Sequence, residues 1–221
     1  MEKFVALDIE TEGHTHVATN TVRVLSCQLG TTDFQELYYA DGGPGENIKT
    51  FVKRVQEILD EGKKLVGYNL DGFDVPQLRK YGIVDIDKVN FEDIKGFKTV
   101  IDLETKLGHR PKLEDICDEV GIDPSHKDIM GRRAEALYRS KEEHFKSEVK
   151  QAAIKAAKEK GKSSPDGMIW HFGKNLAFAE AINEAYKEFL QSPDKQSTDF
   201  YRYATGDVKV EYELFKKLKF I

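Results

Sequence analysis

Phe4-Val5-Ala6-Leu7-Asp8-Ile9-Glu10-Thr11 is the stretch on which the reading of this chain turns. An extended strand alternates its faces, so Phe4, Ala6, Asp8 and Glu10 share one side while Val5, Leu7 and Ile9 share the other. Being apolar on both sides as far as Leu7, it reads as a central strand covered on both faces. Two carboxylates on one face of such a strand cost free energy unless a cation lies between them. Hard oxygen ligands suit Mg2+ or Mn2+, and the sequence holds no Cys/His cluster that would argue for zinc. The bland alternative is a pair of solvated acids just beyond a core strand. The choice depends on whether further carboxylates arrive from elsewhere.

Working outward, Val22 to Leu29 and Phe34 to Tyr39 have strand composition, joined by the turn Gly30-Thr31-Thr32-Asp33. With a polar loop between Glu12 and Thr21, they make a three-stranded antiparallel meander with the first strand. Ile48, Phe51, Val52, Val55, Ile58 and Leu59 recur at helical spacing and Gly62 stops them. Lys64 to Tyr68 then reads as a buried strand parallel to the first, which places the crossover helix on one face of the sheet. Val100 to Leu103 has the composition of a further short strand. Leu113 to Val120 is a short helix closed by Gly121, with Leu113, Ile116, Cys117 and Val120 inward.

Two later segments carry more acids. In Asn69-Leu70-Asp71-Gly72-Phe73-Asp74-Val75-Pro76 the proline suits a helix start, which puts Asp74 at or beside the N-cap, where a simple capping role competes with a functional one. The last helix spans about Ser197 to Leu218. On it Tyr203 and Asp207, four residues apart, lie one turn above another among Phe200, Ala204, Val208, Val210, Leu214 and Phe215. A surface acid paired with Lys209 or with a lysine at the chain end is the alternative for Asp207.

The bulk composition, 33% charged and 39% hydrophobic over 221 residues, describes one ordinary domain. No apolar run approaches a membrane span, and the N-terminus enters a strand at once with no room for a signal peptide, so a cytoplasmic protein is expected. Cys27 and Cys117 sit in apolar-periodic segments and read as small core side chains, with a bridge between them as the alternative. The net charge of -5 argues on its face against nucleic acid, but two divalent ions would bring it to about -1. Residues 127–162 hold eleven Lys/Arg against six Asp/Glu, a local charge of +5. They read as one long, mostly exposed helix, either a solvated face or a basic arm for a phosphate backbone. With a second amphipathic helix from Leu176 to Leu190, residues 127–196 form a helical insertion or lid within a single domain spanning 1–221.

Carboxylates from three separate segments, Asp8 and Glu10, Asp74, and Asp207, are what a site for two divalent cations requires. Tyr203, a turn from Asp207, is placed to aim an attacking water. In these motifs the chain resembles the DEDD superfamily of 3'-5' exonucleases, in its tyrosine-bearing branch. Asp8-Ile9-Glu10-Thr11 is similar to the first motif as found in the proofreading domains of family B DNA polymerases. Asn69 to Asp74 resembles the second, and Tyr203-Ala204-Thr205-Gly206-Asp207 the third. The histidine-bearing branch would need His at 202, where this chain has Arg202.

The resemblance covers residues 1 to about 138 and 197 to 221. It implies an α/β, RNase H-like mixed sheet flanked by helices, two Mg2+ or Mn2+ ions, and release of nucleoside 5'-monophosphates from the 3' ends of single-stranded DNA, with RNA as the second substrate. It also implies substrate contacts from Asn69, Phe73 and Thr11. The chain ends directly after the third motif, so a free-standing nuclease is expected, or a subunit acting in trans with a replication or repair partner. The competing reading is a nucleic-acid-binding scaffold that works through its basic helix.

Overall fold

The computed structural model describes residues 3–13, 23–81, 90–162 and 164–219. Strands β1 (Phe4–Thr11), β2 (Val24–Gly30), β3 (Gln35–Tyr39), β4 (Lys64–Gly67) and β5 (Phe91–Asp93) form one sheet in the order β3-β2-β1-β4-β5. β1 is the middle strand, as its two apolar faces require. It runs parallel to β4 with Val5 opposite Leu65, β4 runs parallel to β5, and β2 and β3 pair antiparallel with Cys27 opposite Tyr38. β1, β2 and β3 are neighbours in chain order, as a meander demands. His14 to Thr21 of the expected loop, and Val22, lie outside the described residues.

Helices α1 (Ile48–Asp60), α2 (Asp74–Arg79), α3 (Lys98–Leu107) and α4 (Leu113–Val120) follow the early strands. α5 (Lys127–Ser140), α6 (Glu142–Glu159) and α7 (Asp166–Gln191) come next, and α8 (Asp199–Lys219) closes the chain. Contacts group the chain into two compact units. One comprises Met1–Glu10, Val24–His126 and Tyr201–Ile221, the other Thr11–Arg23 and Lys127–Phe200.

In the first unit the sheet is covered on both faces. Val5, Leu7 and Ile9 pack with Phe51, Val55 and Ile58 of α1 and with Val75 and Leu78 of α2. Ala6 and Val66, facing the other way, pack with Val100 and Leu103 of α3, Ile116 and Cys117 of α4, and Val208, Leu214 and Phe215 of α8. The alternation expected of β1 is therefore realised. Cys27 and Cys117 are buried in different clusters, and no disulfide joins them. Gly121 closes α4 in the left-handed conformation, with φ 68°.

One contact sets the register between strand and helix. The rings of Phe4 and Phe215 lie 4.7 Å apart between centroids. Four strand residues rise about 13 Å and eight helical residues about 12 Å. Anchoring Phe4 to Phe215 thus brings Asp8 level with Asp207.

One expectation for this unit is corrected. Val100 to Leu103 is not a strand but part of α3: Val100 and Leu103, three residues apart, are both buried, while Ile101 between them is half exposed. Burial there follows the helical period, not alternation. The sheet takes its fifth strand instead from Phe91–Asp93, whose two acids hide a strand signal.

In the second unit, the single long helix expected over 127–162 is two, broken at Lys141 with φ -132° and ψ 30°. α6 is not mostly exposed: Phe145, Val149, Ala153 and Ala157, every fourth residue, are buried. Phe145 packs with Ala177 of α7, and Ala153 and Ala157 pack with Met168. α7 starts ten residues before the expected Leu176: Met168, Ile169 and Phe172 of its first turns pack with alanines of α6, but Trp170 among them is half exposed, so the apolar residues there make no one-sided stripe. Arg133 ties α5 to Glu188 of α7 at 2.6 Å and to Asp199 at 3.1 Å.

Phe215 is 1% exposed. Phe215→Ala is expected to cost about 3–5 kcal/mol, the usual loss for a buried phenylalanine, measured by urea unfolding.

Candidate active site

The stripe Tyr203, Asp207, Glu211 and Phe215 recurs every fourth residue on α8, and its members are 5%, 2%, 4% and 1% exposed. Alternation on β1 turns Asp8 and Glu10 to the same side as Ala6, whose cluster includes α8 residues. One carboxylate oxygen each from Asp8, Glu10 and Asp207 lies within 4.8 Å of the others. Ligands of one octahedral Mg2+ stand about 3–4 Å apart, so these three need only a slight inward movement to share an ion.

Asp74 is the first residue of α2, behind Phe73, which makes no side-chain cap. Its carboxylate accepts hydrogen bonds from its own N–H and from that of Ile9, which fastens α2 to β1 between the two acids of the first motif. Burial, and then the charge of Asp8, push the Asp74 carboxyl well above the usual carboxylate range. Its Oδ1 is buried and has no hydrogen-bond partner among the described residues. A desolvated acid beside a second acid, with one oxygen unsatisfied, fits a divalent cation or, without one, a proton. Asp74 lies outside the three-acid group and is linked to it through Asp8. Burial and the charges of Asp74 and Asp8 also raise the Cys27 thiol, which keeps it protonated and unreactive.

The structure adds two residues that spacing did not single out. His126, in the turn after α4, has its Nε2 2.7 Å from Asp207 Oδ1, and its ring centroid is 6.3 Å from that of Tyr203. Eighty-one positions separate His126 from Asp207, and no local pattern marks it. Glu211, one turn beyond Asp207, accepts the N–H of Tyr68 at 3.3 Å. Its four-residue spacing from Asp207 was the available signal.

The expected substrate-contact residues sit as follows. Asn69 adopts the left-handed conformation at φ 66°, which asparagine tolerates better than most residues. Asp93 holds this turn by accepting the backbone N–H groups of Asn69, Asp71 and Lys95 at 2.9, 3.2 and 3.0 Å. The Asn69 side-chain oxygen accepts from Arg110 at 3.2 Å and Lys95 at 3.4 Å, and Lys95 also pairs with Asp71. Phe73 is half-buried against the cluster that contains Ile9 and Val75. Thr11 ends β1, its hydroxyl donating to Gly13 O at 3.3 Å.

A five-stranded mixed sheet with helices on both faces, and an acidic cluster on its central strand, defines an RNase H-like fold with a site that fits nuclease activity. Residues 5–156 match the RNase_H_2 family model of the RNase_H superfamily, and the chain belongs to that superfamily. The match takes in Asp8, Glu10 and Asp74, runs through α5 into α6, and stops short of Tyr203 and Asp207. No curated protein and no solved structure matches the chain. Among the described residues, no helix is long and apolar enough to cross a membrane.

The raised Asp74 carboxyl has a consequence for the metal-free protein. A group that binds its proton more tightly when folded stabilises the fold at low pH, and that contribution is lost as pH rises through the folded value. Raising the pH therefore weakens the fold through Asp74. Asp74→Asn is expected to raise the metal-free melting temperature by about 2–4 °C or more, the shift that about 1 kcal/mol produces in a chain of this size. The gain should shrink as pH falls and reverse in sign with Mn2+ present, as calorimetry at several pH values would read.

Proposed function

We propose that this protein is a 3'-5' exonuclease, dependent on two divalent cations, that hydrolyses phosphodiester bonds at the 3' ends of single-stranded DNA and releases nucleoside 5'-monophosphates. RNA is the second candidate substrate. The observation that carries the reading is the convergence of Asp8, Glu10 and Asp207 within 4.8 Å, with Asp74, whose Oδ1 is buried and unsatisfied, linked to them through Asp8. Superfamily membership supports nucleic acid as the substrate class.

In this reading Asp8, Glu10, Asp74 and Asp207 hold Mg2+ or Mn2+, which when bound makes water a stronger acid and stabilises charge on the leaving oxygen. Tyr203 donates or accepts a hydrogen bond at the attacking water and aims it at phosphorus. Asn69, its side-chain oxygen engaged by Arg110 and Lys95, turns its N–H2 donors toward the strand, and Phe73 offers apolar contact to the terminal nucleotide. Thr11 contributes through its backbone or hydroxyl. Residues 127–196 act as a helical insertion in the exonuclease domain.

A digestion series on 5'-labelled single-stranded DNA, duplex DNA and RNA, with Mg2+ or Mn2+ against EDTA, tests this. A ladder shortening from the 3' end only when metal is present is expected, and an undegraded substrate in every lane refutes it. Asp8→Ala should abolish cleavage while substrate is still bound; unchanged turnover in that variant sinks the assignment. Tyr203→Phe should slow hydrolysis about 10²-fold or more with metal binding intact.

The exposed Lys150, Lys155 and Lys158 on α6 favour a second reading, a nucleic-acid-binding scaffold or accessory subunit. Reversing their charges should weaken DNA binding and flatten its salt dependence by about one unit of slope per lost phosphate contact. An unaltered slope would assign α6 to another partner, such as a replication or repair protein.

A further inference from the structure

We infer that His126 is a positioning residue for the metal site, orienting the Asp207 carboxylate by donating its Nε2–H to Oδ1; this rests on the metal-dependent reading above. Three observations converge. The Nε2 to Oδ1 distance is 2.7 Å, within the range of a strong charge-assisted hydrogen bond. An ionised carboxylate can only accept, so the shared hydrogen belongs to Nε2.

The imidazole also lies directly on the backbone of α8. A side chain at Gly206 would place its Cβ 2.7–2.8 Å from the Cγ, Cδ2 and Cβ of His126, closer than atoms approach. Glycine within a helix costs about 1 kcal/mol relative to alanine, and the ring's seat accounts for its presence next to Asp207.

Finally, both partners are well shielded: the side chains of His126 and Asp207 are 13% and 3% exposed. In such surroundings a hydrogen bond fixes which way a carboxylate plane faces, because water is not there to compete. Partners of this kind, one bond removed from a metal, alter its affinity about 10- to 100-fold when replaced.

The test is calorimetric titration of the whole protein with Mn2+ alone, on the wild type and on His126→Ala, His126→Gln and Gly206→Ala. Metal-free melting temperatures identify any variant that does not fold. His126→Ala and Gly206→Ala are expected to weaken Mn2+ binding about 10- to 100-fold, one by removing the donor and the other by displacing it. His126→Gln, whose amide can donate to the same oxygen, should recover part of the loss. Cleavage by His126→Ala should return toward the wild-type kcat as Mg2+ is raised, with the defect confined to the metal concentration needed. Wild-type Mn2+ affinity in either His126→Ala or Gly206→Ala overturns the assignment, as does a Gln variant no better than Ala. If His126→Ala does not fold, Gly206→Ala and His126→Gln decide. A wild type that binds no Mn2+ overturns the metal-dependent reading as a whole, whereas a wild type that binds with unaffected variants removes only His126.

Discussion

The packing of α8 along β1 is the constraint on which the site depends. Phe4 packs against Phe215 at one end, and the near equality of rise between four strand residues and eight helical residues carries Asp8 to the level of Asp207 at the other. The apolar half of this interface stabilises the fold, and that stability holds the acidic half together. A slip of one residue in β1 would turn Asp8 and Glu10 to the opposite face, among Phe51, Val55 and Ile58.

The acidic end is an unfavourable arrangement held by a favourable one. Burial and the neighbouring Asp8 both disfavour an ionised Asp74, and its hydrogen bonds to its own N–H and to that of Ile9 offset this only in part. Such a cluster is costly without a cation and well matched to one with it. His126 and Glu211 extend the polar region, bonded respectively to Asp207 and to the backbone just after β4. The same logic shapes the Asn69 turn, where Asp93 takes up three backbone N–H groups to hold a conformation that the local chain would not prefer.

Legibility in the sequence followed the strength of the local period. β1, α1, α4 and α8 have apolar residues at clean spacings of two or of three and four, and each element stands where those spacings place it. Where the period is blurred, the reading failed. Val100 and Leu103 in a polar setting hid a helix, the acids of Phe91–Asp93 hid a strand, and apolar residues spread around the helix, Trp170 among them, concealed the first turns of α7. The break at Lys141 carries no proline or glycine to mark it; it is visible only because α5 and α6 each pack separately on α7.

The sequence by itself determined which side of β1 carries Asp8 and Glu10, that Tyr203 and Asp207 share a helical face, and that Asp74 opens a helix. The first two follow from periods of the backbone and the third from the proline two residues on, and none needs a distant partner. Only the tertiary structure decided that these acids meet, that Asp74 is tied to the Ile9 amide, and that a histidine eighty-one positions upstream seats on Gly206 and grips Asp207. Those depend on how elements far apart in the chain pack against one another, and no local period records it.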